Sequence, residues 1–423
     1  MKQCKVLARA ILILAFSLSF GLSLAQTTLR VMSSTIVESP EGEVEQAIAD
    51  AFMAANPDIT IEFIGTPMND MFKVLTTNAI GGELPDIFTN TPEFVAQAAD
   101  LGIAADLNEI FDEEFLSGFY PTTLEEATVD GQLLLLPWFT VPVGVLYRAD
   151  WFEEAGLEGP QTWDDFVNAA QTITQDTDGD GQMDRWGFAM VGTKNGSGFF
   201  RFTHLLRSQG AWELYKDDEG NWQSDLGSEG MVNALRIYKE LHDGGLVPPG
   251  VTETGYGEAV SLMASDKTAM MVTGPHTIGA ILEQNPELEG NIHSVPVPMG
   301  TDRSASLGIG GFSIAETSEN KEAAAEYLKF LVSTENMLEW NAVTGRMPAQ
   351  IEAGDQPQIS GPIYAGFVEA ITIAKPMPQA AFYSQIQEVM GEAYQAVLVG
   401  GVSPEDAAAQ AGEQAAAIIQ DAQ

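Results

Sequence analysis

Apolar positions near the amino end recur with two alternating periods. Thr28 to Ser33 reads as a strand, TLRVMS. The polar loop Ser34 to Gly42 leads from it into a segment where Val44, Ala47, Ile48, Ala51 and Phe52 share one helical face, stopped by Asn56-Pro57. Ile59, Ile61 and Phe63 alternate as a second strand. A helix over Pro67 to Ile80 follows, closed by Gly81-Gly82, then a strand Leu84 to Phe88 and a helix Pro92 to Leu101 stopped by Gly102. Strand, helix, strand, helix at this spacing predicts a parallel sheet with right-handed crossovers. Ligands of such sheets sit beyond the carboxyl ends of the strands, which draws Glu38, Ser39, Asp86, Asn90 and Glu93 toward one edge. Plainer roles are open to two of them: Asp86 can cap a turn and Glu93 can open its helix.

The stretch Gly131 to Phe166 organises the middle of the chain. It reads as a buried run ending at Pro137, an exposed aromatic segment Trp138-Phe139-Thr140, a strand Val141 to Tyr147 and a short helix. Aromatic faces at the mouth between two strands suit a ligand. Thr162 and Asp165 form a capping-box variant opening a helix Trp163 to Thr174. Helices over Arg201 to Gln209 and Gly230 to His242, a strand from Lys267 to Gly274, a return strand Leu307 to Ala315 and a helix Lys321 to Leu331 follow. Ser403-Pro404-Glu405-Asp406 signals the start of a last helix.

At 423 residues the chain exceeds what one core usually holds, so two α/β lobes are expected. Lys2, Lys5 and Arg9 precede an apolar run from Ala10 to Leu24, and Leu22-Ser23-Leu24-Ala25 offers a cleavage site before Gln26. Residues 1–25 therefore read as an export signal, too short for a membrane span. The single cysteine, Cys4, lies ahead of the apolar run, so no lipid-anchoring motif is present. A periplasmic or extracellular protein without disulfides, thiol nucleophile or cysteine-ligated zinc is expected. Sixty acidic residues against 19 basic give a net charge of −41, and removing the signal leaves 60 against 16, or −44. That surface repels nucleic acid and anionic membranes, and it disfavours a free anion as ligand unless a local basic pocket exists.

No catalytic motif stands out. There is no Gly-x-Ser-x-Gly elbow, Ser318-x-x-Lys321 has no Lys-Thr-Gly partner, and His204, His242, His276 and His293 are dispersed. Among 60 acids no pair is singled out for glycoside hydrolysis. Asp176, Asp178, Asp180 and Asp184 have EF-hand-like spacing with Gly181 at the sharp turn, but Gly187 stands where the bidentate glutamate belongs. The loop is read as a surface turn, with a weak calcium site as the alternative and no other cofactor.

Several segments together resemble the extracellular solute-binding proteins of ABC importers, in particular the family that includes the maltose-binding protein. They are PDIFTNTPEFVAQAADLGIAADL from Pro85, the stretch from Gly131, KTAMMVTGPH from Lys267, LGIGGFSIA from Leu307 and Thr344-Gly-Arg-Met-Pro348. The resemblance implies the type II two-lobe fold with a three-crossover hinge and a cleft between lobes. Lobe one would comprise residues 26–125 and 307–347, lobe two residues 126–306 and 348–423. It also implies a monomer that captures a carbohydrate and delivers it to the permease subunits of an ABC transporter. A polyol or glycerol phosphate is the runner-up ligand, and a secreted glycosidase a more distant reading. The implied site is Trp138, Phe139, Tyr383 and His276 stacking on sugar faces, with Glu38, Ser39, Asp86, Asn90, Glu93, Gly311 and Arg346 beside them. His276 stands where the family usually places an aromatic residue, and Arg346 could instead pair with one of the many acids.

Overall fold

The computed structural model describes residues 26–375, 377–378, 380 and 382–422, without the side chains of Asn69 and Glu93. The predicted export signal and Cys4 lie outside the described residues. Two sheets organise the molecule. The first runs in the order Met347–Pro348, Leu136–Pro142, Ala305–Ile314, Ile87–Asn90, Thr27–Ser33, Ile59–Gly65. Thr27–Ser33 is parallel to both of its neighbours, as the alternating strand and helix pattern requires, and the return strand Ala305–Ile314 enters antiparallel between Ile87–Asn90 and Leu136–Pro142. The helix Glu41–Ala55 buries Val44, Ile48 and Phe52 against this layer, and the Phe52 ring meets Tyr327 edge-on at 5.2 Å.

The second sheet has the order Ile292–Pro296, Gly144–Arg148, Thr268–Thr273, Trp186–Phe188. Helices Gly196–Ser208, Glu229–Asp243, Tyr383–Leu398 and Pro404–Ala422 build its core around Phe202, Leu206, Leu235 and Tyr394. Every residue of Thr268–Thr273 is buried, which explains why its sequence is a continuous run without alternation.

Three passages join the sheets. Only Val143 separates Leu136–Pro142 in the first from Gly144–Arg148 in the second. Residues 297–304 carry the chain back to the return strand. After Pro348 the helix Ala365–Ile373 packs on the second sheet, where the Gly366 N–H donates to Ser294 Oγ at 3.0 Å. Leu136–Pro142 lies within residues 126–306, which the sequence placed in lobe two; its pairing puts it in the first sheet. One continuous strand also replaces the expected exposed Trp138-Phe139-Thr140 segment, because these residues find ladder partners on both sides, in Ala305–Ile314 and Met347–Pro348.

Candidate functional site

Two cavities open between the sheets and meet at Ile309 of the return strand. The smaller, about 230 Å³, lies beyond the carboxyl ends of Thr27–Ser33 and Ile87–Asn90 and is lined by Ser34, Thr35, Glu38, Thr89, Thr91, Trp138, Phe139, Gly311 and Arg346. The larger, about 820 Å³, takes Pro92, Gln97, Asp100 and Glu126 from the first lobe's side. Facing them are Ser197, Phe200, Arg201, Tyr256, His276, Tyr383 and Gln387 on the second. A volume of that size is near the top of the range of about 300 to 1,000 Å³ typical of small-molecule sites.

Around the smaller cavity, polar groups are left without partners. Trp138 Nε1, Thr91 Oγ1 and Arg346 Nη1 are buried atoms with no hydrogen bond. Buried donors ordinarily find acceptors, so these three are suited to oxygen atoms of a bound molecule. Arg346 lies with Cζ 4.7 Å from the Phe139 ring centroid and pairs with Glu41 at 3.3 Å and Glu38 at 3.7 Å. Gly310 and Gly311 let the return strand come close: a Cβ at Gly311 would sit 2.0 Å from the Leu136 carbonyl oxygen, and one at Gly310 2.3 Å from the Phe139 ring.

Glu45, fully buried on the first helix, supports this wall from behind. Its Oε2 accepts from Thr35 Oγ1 at 2.6 Å and Ser33 Oγ at 2.8 Å, while Oε1 has no partner. Burial pushes its pKa from 4.5 up to about 7; the two hydroxyls oppose the rise and Glu38 adds to it. A carboxyl whose pKa is raised on folding contributes stability that is complete below the unfolded value and lost as pH rises through the folded one. Unfolding free energy should thus fall between about pH 4.5 and 7. Glu45→Gln is expected to remove that fall and, above pH 7, to be more stable than the parent by up to about 3 kcal/mol. Urea unfolding of both proteins at pH 4.5 and pH 8 checks this, and parallel pH curves would contradict it.

The larger cavity is walled by aromatic faces and one cation. Arg201 Nε donates to the Val272 carbonyl at 2.9 Å, Nη1 to Ser197 Oγ at 2.8 Å and Ser197 O at 3.0 Å, and Nη2 to Thr273 Oγ1 at 3.2 Å. His276 opens the helix His276–Gln284 and lines the cleft. Surrounding protein, then Arg201 and Arg346, hold its pKa below the usual imidazole range, so the ring is neutral at pH 7. Tyr383 donates its hydroxyl to Glu213 at 2.9 Å; burial and the Glu213 charge keep that phenol well above its ordinary pKa. Glu213 in turn holds Arg207 through Nη2 at 2.6 Å and Nε at 3.0 Å, both side chains fully buried.

The sequence-predicted residues divide accordingly. Glu38, Trp138, Phe139, Gly311 and Arg346 come together at the smaller cavity, and His276 and Tyr383 at the larger. Trp138 is not an exposed platform: it is 1 % exposed and packs against Trp340 with centroids 3.9 Å apart and the rings tilted by 34°. Asp86 lies at the amino end of Ile87–Asn90, where it accepts from Ser318 Oγ at 2.5 Å, Asn320 Nδ2 at 3.1 Å and the Arg30 N–H at 3.0 Å. It ties strands together, away from both cavities. Asn90 is buried, donating to Ser313 Oγ at 2.9 Å and accepting from the Thr91 N–H, and Ser39 points to Glu43 at 3.5 Å. None of these three lines either of the two cavities. The Glu93 side chain lies outside the described residues. Sequence reasoning missed Phe200, Arg201, Tyr256, Ser34 and Thr35; of these only Ser34 and Thr35 had a local signal, since they follow the first strand directly.

In the acidic loop, carboxylate oxygens of Asp176, Asp178 and Asp184 lie within 4.8 Å of one another, and Asp180 stands apart from that group. Backbone bonds already close the loop: Asp176 accepts from the N–H groups of Gly179 at 2.7 Å and Gly181 at 2.8 Å, and Asp184 from Thr177 at 2.8 Å. Thermal melts in calcium and in chelator are expected to coincide. A calcium-dependent rise in Tm would instead assign the loop a cation.

Two facing α/β lobes joined by three passages, with cavities enclosed between them, define a solute-binding protein of the two-lobe periplasmic class. The family model described as bacterial extracellular solute-binding protein matches residues 38–338, and the chain belongs to that family. The galactooligosaccharide-binding protein of Bacillus subtilis is 23% identical over 390 residues, 90% of this chain and 89% of its own. Among solved structures, the sugar-binding protein MalE of Xanthomonas citri aligns with a TM-score of 0.79 at 21% identity, over 93% of this chain and 98% of that one. A solute-binding protein of Thermotoga lettingae bound with α-D-tagatose gives 0.71 at 23%, over 93% and 99%. Members of the family are binding proteins rather than enzymes. Among the described residues no helix is long and apolar enough to cross a membrane.

Proposed function

We propose that this chain is the extracellular substrate-binding component of an ABC importer, holding a mono- or oligosaccharide in the interlobe cleft and releasing it unchanged to a membrane permease. The observation that carries the reading is the pairing of aromatic faces in the larger cavity with buried, partnerless donors in the smaller. Phe200, Tyr256 and Tyr383 offer flat apolar surface to sugar rings, and Trp138 Nε1, Thr91 Oγ1 and Arg346 Nη1 offer hydrogen bonds to hydroxyl oxygens. The names of the relatives, which bind sugars, support the same class. Both walls come from one polypeptide, so a monomer suffices. Closure of the lobes over the solute would complete the contacts, and the ligand would act by shifting an open-closed equilibrium.

The test is a titration of intrinsic tryptophan fluorescence with a panel of sugars and polyols, since Trp138 and Trp340 adjoin the smaller cavity. A saturable change with at least one saccharide is expected, and chromatography after long incubation should return that saccharide intact. Released product would make the protein a glycosidase, and silence across the panel in both fluorescence and thermal shift would overturn the sugar reading.

A further inference from the structure

We propose that the solute carries a carboxylate, as a uronic-acid saccharide does, and that Arg201 receives it in the larger cavity. The inference rests on the sugar-binding reading above and narrows it. Arg201 is only 8 % exposed, yet among the described residues its guanidinium meets neutral acceptors alone: Val272 O, Ser197 O, Ser197 Oγ and Thr273 Oγ1. Four of the five guanidinium N–H groups are thereby used, and one on Nη2 is left over. In a chain with 60 acidic side chains against 19 basic ones, a buried cation with no carboxylate beside it is the exception. Arg207, one helical turn further and a half along Gly196–Ser208, shows the ordinary solution: it is buried against Glu213. Arg346, across the cleft, is paired with Glu38 and Glu41.

The neighbours of Arg201 stabilise its charge without cancelling it. The Tyr256 ring lies 5.1 Å from its Cζ, a distance at which the electron-rich face attracts a cation, and the Tyr256 hydroxyl is bonded to Thr277 at 3.0 Å. His276, whose ring centroid is 5.7 Å from that of Tyr256, is neutral and adds a hydrogen-bonding nitrogen instead of a second charge. Of the acids lining the same cavity, Asp100 is exposed at the end of its helix. Glu126 is turned to the Met377 N–H at 3.2 Å and toward Arg207. One spare N–H and a neutral imidazole fit a single carboxylate. A phosphate dianion would want a second cation and would be repelled about twice as strongly by the −41 chain.

Isothermal titration calorimetry on the purified protein tests the inference with trimers of galacturonate, glucuronate and mannuronate. Each is set against its methyl ester and its neutral parent sugar, with galactose 1-phosphate alongside. At least one uronate is expected to bind about tenfold or more tightly than its ester, the worth of one charge-assisted hydrogen bond. Arg201→Gln, checked for a native melting curve, should abolish that preference; if the variant does not fold, the ester comparison on the parent protein decides alone. Esters bound as well as acids, a preference for the sugar phosphate, or no uronate bound at all would each overturn the inference. Neutral sugars bound without any preference for uronates would overturn it while leaving the sugar-binding reading intact. No saccharide bound at all would remove both.

Discussion

Trp138→Ala is expected to lower the unfolding free energy by about 3 to 5 kcal/mol, the cost of deleting a buried indole. Its ring is 1 % exposed and packs at 3.9 Å on Trp340, 5.7 Å on Phe312 and 5.8 Å on Phe139. Those contacts knit the strands Leu136–Pro142 and Ala305–Ile314 and the helix Thr334–Thr344 into one wall of the smaller cavity. A loss of ligand affinity should accompany the loss of stability, because the orphaned Nε1 goes with the ring. Trp138→Phe separates the two, keeping most of the packing while deleting the donor. Urea unfolding measures the first effect and calorimetric titration the second. An alanine variant as stable as the parent would show that the indole is not part of the core.

The second large effect concerns the base of Tyr383. Glu213→Gln should destabilise the protein by about 3 to 5 kcal/mol, since it leaves the fully buried Arg207 guanidinium without its bidentate counter-charge. The joint replacement Arg207→Met with Glu213→Leu should cost less than the sum of the single changes, because the two charges that face each other are removed together. Unfolding midpoints of Arg207→Met, Glu213→Leu and the double close the cycle; strict additivity would mean the groups act independently. Tyr383 loses this acceptor only where Glu213 becomes leucine, since the glutamine keeps an amide oxygen, so its place on the cavity wall should loosen in the leucine background.

Periodicity made most of the framework legible. Lys321–Leu331 runs over the residues its apolar spacing predicts, and the Thr162 and Asp165 capping box is formed with both reciprocal bonds. The third strand was misplaced because apolar Leu84 and Pro85 looked like ladder residues, whereas the strand is Ile87–Asn90 and ends in buried polar side chains. That Trp138 lies at the cleft was legible, but not that it is buried, because its cover, Trp340, lies some two hundred positions away. Arg201 had no local signature at all: its meaning lies in Val272 and Thr273 across the second sheet, and in the carboxylate that no neighbour supplies. Asp86, for which the sequence left a structural role open beside a ligand-binding one, holds Arg30, Ser318 and Asn320, and a carboxylate beside a strand has the same sequence whether it serves the sheet or a ligand.

The link through Val143 is too short to be slack. Any change in the angle between the two walls must be taken up in the torsions of Pro142, Val143 and Gly144, and the proline ring removes one of those freedoms. Gly144 is wedged as well: an added methyl group would stand 2.6 Å from the Val295 carbonyl oxygen and 3.4 Å from the Phe367 ring. Gly144→Ala would therefore prise the second sheet apart at its pivot, altering the resting gape of the crevice from a point that lines neither cavity.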